Sequence, residues 1–427
     1  MKYLLTALFA IIIFATNAWC ATTNSINPVD TCFMLVSAAL VLVMTPSLAL
    51  FYGGLVRKKN VLSTIMHSLV AMGILTIEWV VIGYSLSFGG DVGGIIGNLK
   101  YLFLSGVGYA PSNFAPTIPA AVFMIYQCMF AIITPALISG AIAERIKFSA
   151  YLLFIILWSL FVYYPAVHWI WGGGWLAKLG VADFAGGLVV HATCGVSALV
   201  AAILVTKRKT FLKEPVFPHH IPMVVLGAGL LWFGWFGFNA GSALSVNSVA
   251  VNAFLTTHIS AATALFVWLL IEWVKNGKPT VLGGATGAVA GLATITPASG
   301  FVSPLFAIVI GFLSAVICFY AIQFKEKFKY DDSLDVFGVH GIGGILGTLS
   351  LGLFAQKSIN GINGLFYGSA KTFLVQLIGT VVIVVYSLIA TFIILKVIGA
   401  LLGGLKVSEE DEAMGLDVSE HGEKAYN

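Results

Sequence analysis

The sequence predicts an all-α polytopic membrane protein with eleven transmembrane helices. Three observations lead to this prediction: an excess of apolar residues, apolar stretches of bilayer length that recur along the chain, and basic residues confined mostly to one side. Of 427 residues, 59% are hydrophobic and only 9% are charged. This apolar surface exceeds what one soluble core of that length would bury, so lipid is expected to cover the rest.

The amino-terminal residues 1–21 have the features of a secretory signal peptide. Lys2 precedes an apolar run from Leu4 to Phe14, and the small residues Ala18 and Ala21 follow near a cleavage point. The run is shorter than a bilayer span requires. We therefore expect residues 1–21 to be cleaved; the alternative is an uncleaved first helix.

Apolar stretches of bilayer length recur along the rest of the chain. The longest connection, from about Phe88 to Thr117, is rich in glycine and has few charges, so no catalytic domain outside the membrane is expected. The chain is thus predicted not to be an enzyme, with a transmembrane domain over residues 22–402 and a cytoplasmic tail over residues 403–427. The eleven stretches lie near residues 29–53, 61–87, 118–142, 148–170, 184–206, 221–243, 249–274, 281–300, 303–324, 334–356 and 371–402.

Basic residues give an independent prediction of topology. Leaving out Lys2 and Lys396, sixteen lysines and arginines fall on one side of the predicted spans. This bias places the amino terminus outside and the carboxyl terminus inside, as an odd number of spans also requires. The small net charge of +4 and its position in short loops argue against a nucleic-acid-binding surface. The opposite side receives only Lys100, Lys178, Lys357 and Lys371.

Two similar motifs open the fifth and tenth spans. In the first, Asp183 precedes His191 and a glycine follows four residues after the histidine; in the second, Asp335 precedes His340 with the same following glycine. Five spans separate the motifs, so the second must enter the membrane from the other side. The pattern predicts a five-plus-five inverted repeat with an extra carboxyl-terminal helix and a shared site near the midplane.

Ionisable side chains are costly within a membrane, which makes Asp183, His191, Asp335 and His340 functional candidates. Two imidazoles meeting at the midplane are suited to three tasks: ligating a metal or haem, relaying protons, or lining a narrow pore. Metal ligation has the least support, because glycine, valine and alanine surround the histidines where further ligands would be needed. No cofactor is therefore expected.

Several segments closely resemble the Amt/Mep/Rh ammonium transporter family, over almost the whole mature chain. The resemblance implies an eleven-helix bundle with inverted repeats, assembled as a homotrimer with one pore per subunit and located in the inner membrane. The segments are Phe51-Tyr-Gly-Gly-Leu-Val-Arg57, Gly140-Ala-Ile-Ala-Glu-Arg145, Asp183 to His191, Trp235-Phe-Gly-Phe-Asn-Ala-Gly-Ser242 and Asp331-Asp-Ser-Leu-Asp-Val-Phe-Gly-Val-His-Gly341.

The resemblance also implies roles for individual residues. An outer cation site would fall on Phe130, Trp171 and Ser242, and a phenyl gate on Phe130 and Phe238. The pore histidines would be His191 and His340. Asp183 would support the outer site, and Asp335, the acidic residue of the second motif, is expected to have a matching role.

The function implied is the transport of ammonium or ammonia, and methylammonium is not excluded. Ammonium would be held at the outer site, lose a proton and cross as ammonia. The tail, which includes Gly404 to Glu412 and His421-Gly-Glu, looks like the regulatory terminus of the family and suggests a cytoplasmic PII-type protein as a partner; a merely solvated tail is the alternative. Three other functions stay open: a Rh-like gas channel, an ammonium sensor and a haem or metal redox protein.

Overall fold

The computed structural model describes residues 26–426. The predicted signal peptide, residues 1–21, lies outside the described residues. Within residues 26–426, ten helices are long and apolar enough to cross a membrane, and one shorter apolar helix brings the total to eleven. The prediction of an all-α polytopic membrane protein is therefore confirmed.

The eleven helices follow one another in chain order, and each matches a predicted apolar stretch. Their bounds are α1 Pro28–Leu55, α2 Lys58–Phe88, α3 Ala120–Ile142, α4 Phe148–Leu179, α5 Gly187–Leu204, α6 Ile221–Ala243, α7 Ser248–Asn276, α8 Val281–Ile295, α9 Pro304–Phe328, α10 Phe337–Phe354 and α11 Ala370–Leu401.

Helix α8 is shorter than the predicted stretch of residues 281–300. It begins at Val281, where the side chain of Thr280 caps it, and ends at Ile295. Pro297 follows two residues later. Because proline lacks an N–H group and its ring clashes with the preceding turn, the helix stops there and residues 296–301 form turns.

The long connection between α2 and α3 contains two small β-hairpins. Strand β1 (Asp91–Val92) pairs with β2 (Ile96–Gly97), and β3 (Pro111–Ser112) pairs with β4 (Ala115–Pro119), both antiparallel. These hairpins cover the ends of α2 and α3 without forming a separate domain. We call this end of the bundle the hairpin side.

Equivalent helices of the two halves pack against each other: α1 against α6, and α5 against α10. At the second contact the backbones nearly touch. A Cβ atom on Gly195 would lie 2.1 Å from the backbone nitrogen of Gly341, and one on Gly344 would lie 2.5 Å from the carbonyl oxygen of Gly187. The glycines four residues after each histidine therefore permit the close crossing of α5 and α10.

The carboxyl-terminal tail folds back against the other end of the bundle, which we call the tail side. Its two short helices are α12, Glu409–Met414, and α13, Leu416–His421. Residue Lys406 forms an isolated β-bridge with Ile146, in the loop between α3 and α4. The tail is thus a packed part of the fold, in contact with loops between the membrane helices.

Candidate functional site

The structure brings His191 and His340 together at the crossing of α5 and α10. Each histidine lies in a π-helical turn, Gly187–Ala192 and Phe337–Gly341, a local widening of the helix that is frequent at functional sites. Their Nδ1 atoms are 3.2 Å apart and their rings are nearly parallel, at 20°. Both side chains are buried.

The contact between the two Nδ1 atoms fixes the chemistry of the pair. A neutral imidazole has one N–H donor and one acceptor nitrogen, so one Nδ1 donates and the other accepts. The Nε2 atoms must then have opposite character, an acceptor on the first ring and a donor on the second. His191 Nε2 is buried and has no hydrogen-bond partner among the described residues, so it is available to a small molecule.

Asp183 holds the start of α5 through four backbone hydrogen bonds. Its Oδ1 accepts from the N–H groups of residues 186 and 187 at 2.9 and 2.6 Å, and its Oδ2 accepts from those of residues 188 and 189 at 2.8 and 3.0 Å. The first turn of a helix has N–H groups without intrahelical acceptors, and a carboxylate is a strong acceptor for them. Asp183 is therefore a capping group, and both of its carboxylate oxygens are occupied by backbone N–H groups of α5.

In the second half this capping position belongs to Asp332, and the proposed equivalence of Asp183 with Asp335 is wrong. Asp332 accepts from the N–H groups of Val336 and Phe337 at 3.1 and 2.8 Å. It precedes His340 by eight residues, as Asp183 precedes His191. Asp335 instead has a left-handed backbone, φ 61°, and pairs with Lys325.

Three aromatic rings stand above the histidines toward the hairpin side. The rings of Phe130 and Phe238 are 4.3 Å apart between centroids, and the ring of Trp171 meets Phe130 edge to face at 5.9 Å. Phe238 also stacks over His191 at 6.0 Å. Trp171 is partly exposed while both phenylalanines are buried, so the phenyl pair closes the path beneath an accessible indole.

Hydrogen bonds orient the polar groups around these rings. Trp171 Nε1 donates to the carbonyl oxygen of Asp183 at 2.8 Å, which ties the indole to the start of α5. The hydroxyl of Ser242 donates to the carbonyl of Phe238 at 2.9 Å and lies 3.2 Å from the hydroxyl of Tyr126. Tyr126 was not a predicted site residue, and no sequence signal distinguishes it from the other intramembrane tyrosines.

A cavity of about 520 Å³ opens below the histidines on the tail side. His340 and Val339 lie at its inner end, and Arg208, Lys213 and Glu214 lie near its mouth. His340 thus borders an open space on the tail side, while His191 lies against Phe238 of the closed phenyl pair. The candidate path is asymmetric, with its narrow part between Phe130 and His340.

Four charged residues tie loops of the two halves together on the tail side. Glu144 accepts from Arg57 and Arg208. Arg208 also donates three hydrogen bonds to Asp331, two from its guanidinium group at 2.7 and 2.9 Å and one from its backbone N–H at 2.8 Å. Burial disfavours the Glu144 carboxylate, but Arg208 and Arg57 outweigh this and lower its pKa to about 2. This cluster was missed, although Glu144 lies in a segment that carried the family resemblance.

The tail docks beside this cluster through backbone groups. Lys59 Nζ donates to the carbonyl oxygens of Glu412 and Ala413 at 2.8 and 2.6 Å. The backbone N–H of Lys209 donates to Glu412 Oε1, and that of Ser63 donates to Asp417 Oδ1. The acidic tail segment therefore contacts the start of α2 and the connection between the two halves, which joins α5 to α6.

The other intramembrane histidines lie away from the pair. His168 contacts Asp91 at 3.0 Å on the hairpin side, where hydrogen bonds from Lys178 and His168 lower the pKa of Asp91 to about 2. His67 packs against Tyr151, and His258 against Trp232. Across residues 26–426, no group of three or more His, Cys, Asp or Glu side chains is placed to hold a metal ion.

Comparison with known proteins gives consistent matches over nearly the whole chain. The model of a family described as Ammonium Transporter Family matches residues 32–426. An ammonium transporter of Bacillus subtilis strain 168 is 50% identical over 400 residues, covering 93% of this chain and 98% of the relative. The crystal structure of Saccharomyces cerevisiae Mep2 superimposes with a TM-score of 0.86 at 34% identity, covering 91% of this chain and 89% of that one. A structure described as a sensor Amt protein matches at a TM-score of 0.85 and 29% identity, covering 92% and 98%.

Proposed function

The chain belongs to the Ammonium Transporter Family and transports ammonium, and from this premise we propose that the cation is held at Trp171, loses a proton at the phenyl pair and crosses as ammonia past His191 and His340. The observation that carries the proposal is the contact of 3.2 Å between the two histidine Nδ1 atoms, directly below the closed phenyl rings.

The ammonium ion is first bound at the outer site by Trp171, Phe130 and Ser242. The perpendicular rings of Trp171 and Phe130 present π-electron surface to a cation, an attraction of roughly 0.5 to 2 kcal/mol that increases as water is removed. The hydroxyl of Ser242 donates its own proton to a carbonyl, which leaves its lone pairs free to accept an N–H of ammonium. Asp183 supports this site through its hold on the indole, not by direct contact.

Deprotonation follows from the packing of the gate. The two phenyl rings leave no room for a hydrated ion, so the substrate must shed its water before it passes. A cation without water in an apolar passage is strongly disfavoured relative to its neutral form. The ammonium ion therefore transfers its proton to water on the hairpin side, above the phenyl rings, and enters the passage as ammonia. Potassium and sodium ions have no proton to release, and this difference gives selectivity.

The histidine pair then provides hydrogen bonds to a neutral molecule. Ammonia donates and accepts, so it matches an acceptor Nε2 on one ring and a donor Nε2 on the other. His191 Nε2 has no partner within residues 26–426, and leaving it unpaired costs about 1 to 3 kcal/mol. Ammonia in the path relieves that cost, and the cavity on the tail side then gives it an open exit to water.

We propose the remaining assignments on the resemblance together with the topology. The protein would be a homotrimer of the inner membrane with its tail side toward the cytoplasm, and methylammonium would be carried as an analogue. The docked tail would be the contact for a PII-type regulatory protein, because α12 presents exposed Glu409 and Glu410 next to the loops between helices.

The experiment is a transport assay in vesicles containing the purified protein. Currents and internal pH are recorded after ammonium or potassium is added, for the native chain and for His340→Ala. We expect an ammonium response and no potassium response, and a decrease of about tenfold or more in the variant, since one lost hydrogen bond of roughly 1.4 kcal/mol in the crossing gives that factor.

The control is His258→Phe, which removes an intramembrane histidine outside the pore and should leave transport unchanged. Undiminished selective uptake by both His340→Ala and His191→Ala would overturn the proposal. The similarity to a sensor Amt protein supports one second candidate, an ammonium sensor. Binding of ammonium without current or pH change would favour the sensor, whereas flux insensitive to Trp171→Leu would favour a gas channel.

A further inference from the structure

A turn interrupts α4 on the hairpin side, and Trp171 lies at its first position. The helical conformation stops before Trp171 and resumes at Trp175; we call residues 171–174 the Trp171 turn. The turn folds back on the helix that precedes it, because the N–H of Gly174 donates to the carbonyl oxygen of His168 at 2.8 Å. The position of the indole therefore depends on how this short segment is held.

The side chain of His168 lies at the base of the Trp171 turn and is fully buried. Its Nδ1 is 3.0 Å from the carbonyl oxygen of Ser87, at the end of α2, and its Nε2 is 3.0 Å from Asp91 Oδ1, in strand β1. The backbone of Gly172 rests on the first of these contacts: a Cβ there would lie 2.1 Å from the Ser87 oxygen and 2.8 Å from Nδ1. The imidazole therefore joins the end of α2, the first hairpin and the Trp171 turn.

Both ring nitrogens of His168 face hydrogen-bond acceptors. A carbonyl oxygen has no proton to donate, so Nδ1 must carry a hydrogen in its contact with Ser87. Asp91 is ionised, because hydrogen bonds from Lys178 and His168 lower the pKa of its carboxyl group to about 2. Nε2 must then carry a hydrogen as well, which makes the ring an imidazolium cation. A buried cation needs a paired charge, and Asp91 provides it.

The first hairpin, β1 with β2, bridges the break in α4. Before the break, Trp169 Nε1 donates to the carbonyl oxygen of Ile95 at 2.7 Å. After it, the N–H of Trp175 donates to the carbonyl oxygen of Gly94 at 3.0 Å. Gly94 is held in turn by Asp91, whose Oδ1 accepts from its N–H at 2.7 Å. The hairpin thus contacts α4 on both sides of the Trp171 turn, and Asp91 connects it to the imidazole.

The indole of Trp171 is held from two directions. Its Nε1 donates to the carbonyl oxygen of Asp183 at the start of α5, and its backbone belongs to the turn that rests on His168. A cation is attracted to the face of an aromatic ring only over a short distance, so a small movement of the ring weakens the contact. A loosened Trp171 turn would therefore lower the affinity for ammonium and leave the histidine pair below it unaffected.

We propose that His168 is a positioning residue of the outer site: as an imidazolium ion it bridges Ser87 and Asp91 and thereby holds the Trp171 turn against the first hairpin. The inference rests on the proposed function, in which Trp171 binds ammonium, but the protonation of the imidazole can be measured without transport. In contrast to the histidine pair in the pore, His168 acts through Trp171 and touches no substrate.

The protonation state is tested by solid-state NMR of the purified full-length protein in lipid bilayers, with the histidine ring nitrogens isotope-labelled. We expect two protonated nitrogens for His168 at neutral pH, assigned by the loss of this signal in His168→Gln. In Asp91→Asn an amide replaces the carboxylate, so the signal should change to that of a neutral ring. A neutral His168 in the native chain, or an imidazolium that persists in Asp91→Asn, would overturn the proposal.

The effect on the outer site is tested by ammonium uptake into vesicles at a series of concentrations. In Asp91→Asn we expect KM to rise between about twofold and 30-fold, the range for weakening or losing one cation–π contact, with the maximal rate unchanged. The matched control is Lys178→Gln, which removes the other side chain that donates to Asp91, from a position that is 60% exposed, and should keep the native KM. A lower maximal rate with an unchanged KM in Asp91→Asn would contradict the positioning role.

Trp171→Leu separates this inference from the proposed function. In that background Asp91→Asn should not change KM further, because the ring that it helps to position is absent. An additional rise in KM would overturn the inference, by showing that Asp91 acts on ammonium without Trp171. If Trp171→Leu raises KM and Asp91→Asn alone does not, the positioning role fails and the outer site stands. If Trp171→Leu leaves KM unchanged, the outer site of the proposed function fails.

Discussion

The two segments that carry the paired histidines share a spacing of eight residues from carboxylate to histidine, yet they are held differently. At the hairpin side, Asp183 accepts four backbone N–H groups and is buried. At the tail side, Asp332 accepts two, and Asp335 beside it pairs with Lys325 at the edge of a cavity. One architecture thus gives a firmly held closed end and a less firmly held open end.

The largest expected difference between the two ends is in the free energy of unfolding when Asp183 or Asp332 is substituted. In Asp183→Asn one oxygen becomes an NH₂ group, so two N–H groups lose a charged acceptor, at a cost of roughly 3 to 6 kcal/mol. In Asp332→Asn only one N–H group loses a charged acceptor, at a cost of roughly 1.5 to 3 kcal/mol. The free energy of unfolding, from sodium dodecyl sulfate titration of the protein in micelles, measures both. Equal costs would show that the two ends are held alike.

Substitutions three residues after each capping carboxylate, at Gly186 and Asp335, should give a smaller difference in the free energy of unfolding. Gly186 has φ 120°, and a Cβ there would lie 2.5 Å from Val190 Cγ2, so Gly186→Ala should cost roughly 1 to 3 kcal/mol. Asp335 also has a positive φ, and Asp335→Gly relieves this conformation while losing a partly exposed ion pair of at most about 1 kcal/mol. We expect its net change in unfolding free energy to stay within about 1 kcal/mol of zero. A large loss in Asp335→Gly would assign the ion pair a structural role.

The smallest expected effect depends on pH. Burial, and then the nearby Asp335, raise the pKa of Asp332 to about 6. A carboxyl group with a raised folded-state pKa contributes stability that is present below its unfolded value and is lost as pH rises through about 6. From pH 5 to pH 7 the native chain should therefore lose about 1 kcal/mol relative to Asp332→Asn. The same titration at both pH values checks this, and a constant difference would contradict the raised pKa.

Most of the fold could be predicted from the sequence, because bilayer-length apolar stretches and basic residues confined to loops on one side can be seen directly in the order of residues along the chain. Two lengths differ most: Pro297 ends α8 inside an apolar stretch, and α4 extends to Leu179, beyond the predicted end at residue 170. The meeting of His191 and His340 could also be predicted, since an ionisable residue in matching positions of two repeats is rare enough to stand out.

The acidic partner of His340 could not be predicted correctly. Three aspartates, at residues 331, 332 and 335, precede that histidine by nine, eight and five residues. The sequence motif pointed to the nearest of them, Asp335. The distinction depends on backbone geometry: Asp335 corresponds to Gly186, and both have positive φ. A glycine suggests such a conformation in a sequence, whereas an aspartate does not.

The charged cluster on the tail side has a consequence for the order in which the chain assembles. Arg57 and Glu144 can pair once α3 has been made, but Arg208 reaches its second partner, Asp331, only 123 residues later. At a synthesis rate of roughly 5 to 20 residues per second, that interval lasts roughly 6 to 25 s. During this time Arg208 is paired with Glu144 alone, beside the membrane. The first five helices therefore lack one of their tail-side ion pairs until the second half has been synthesised.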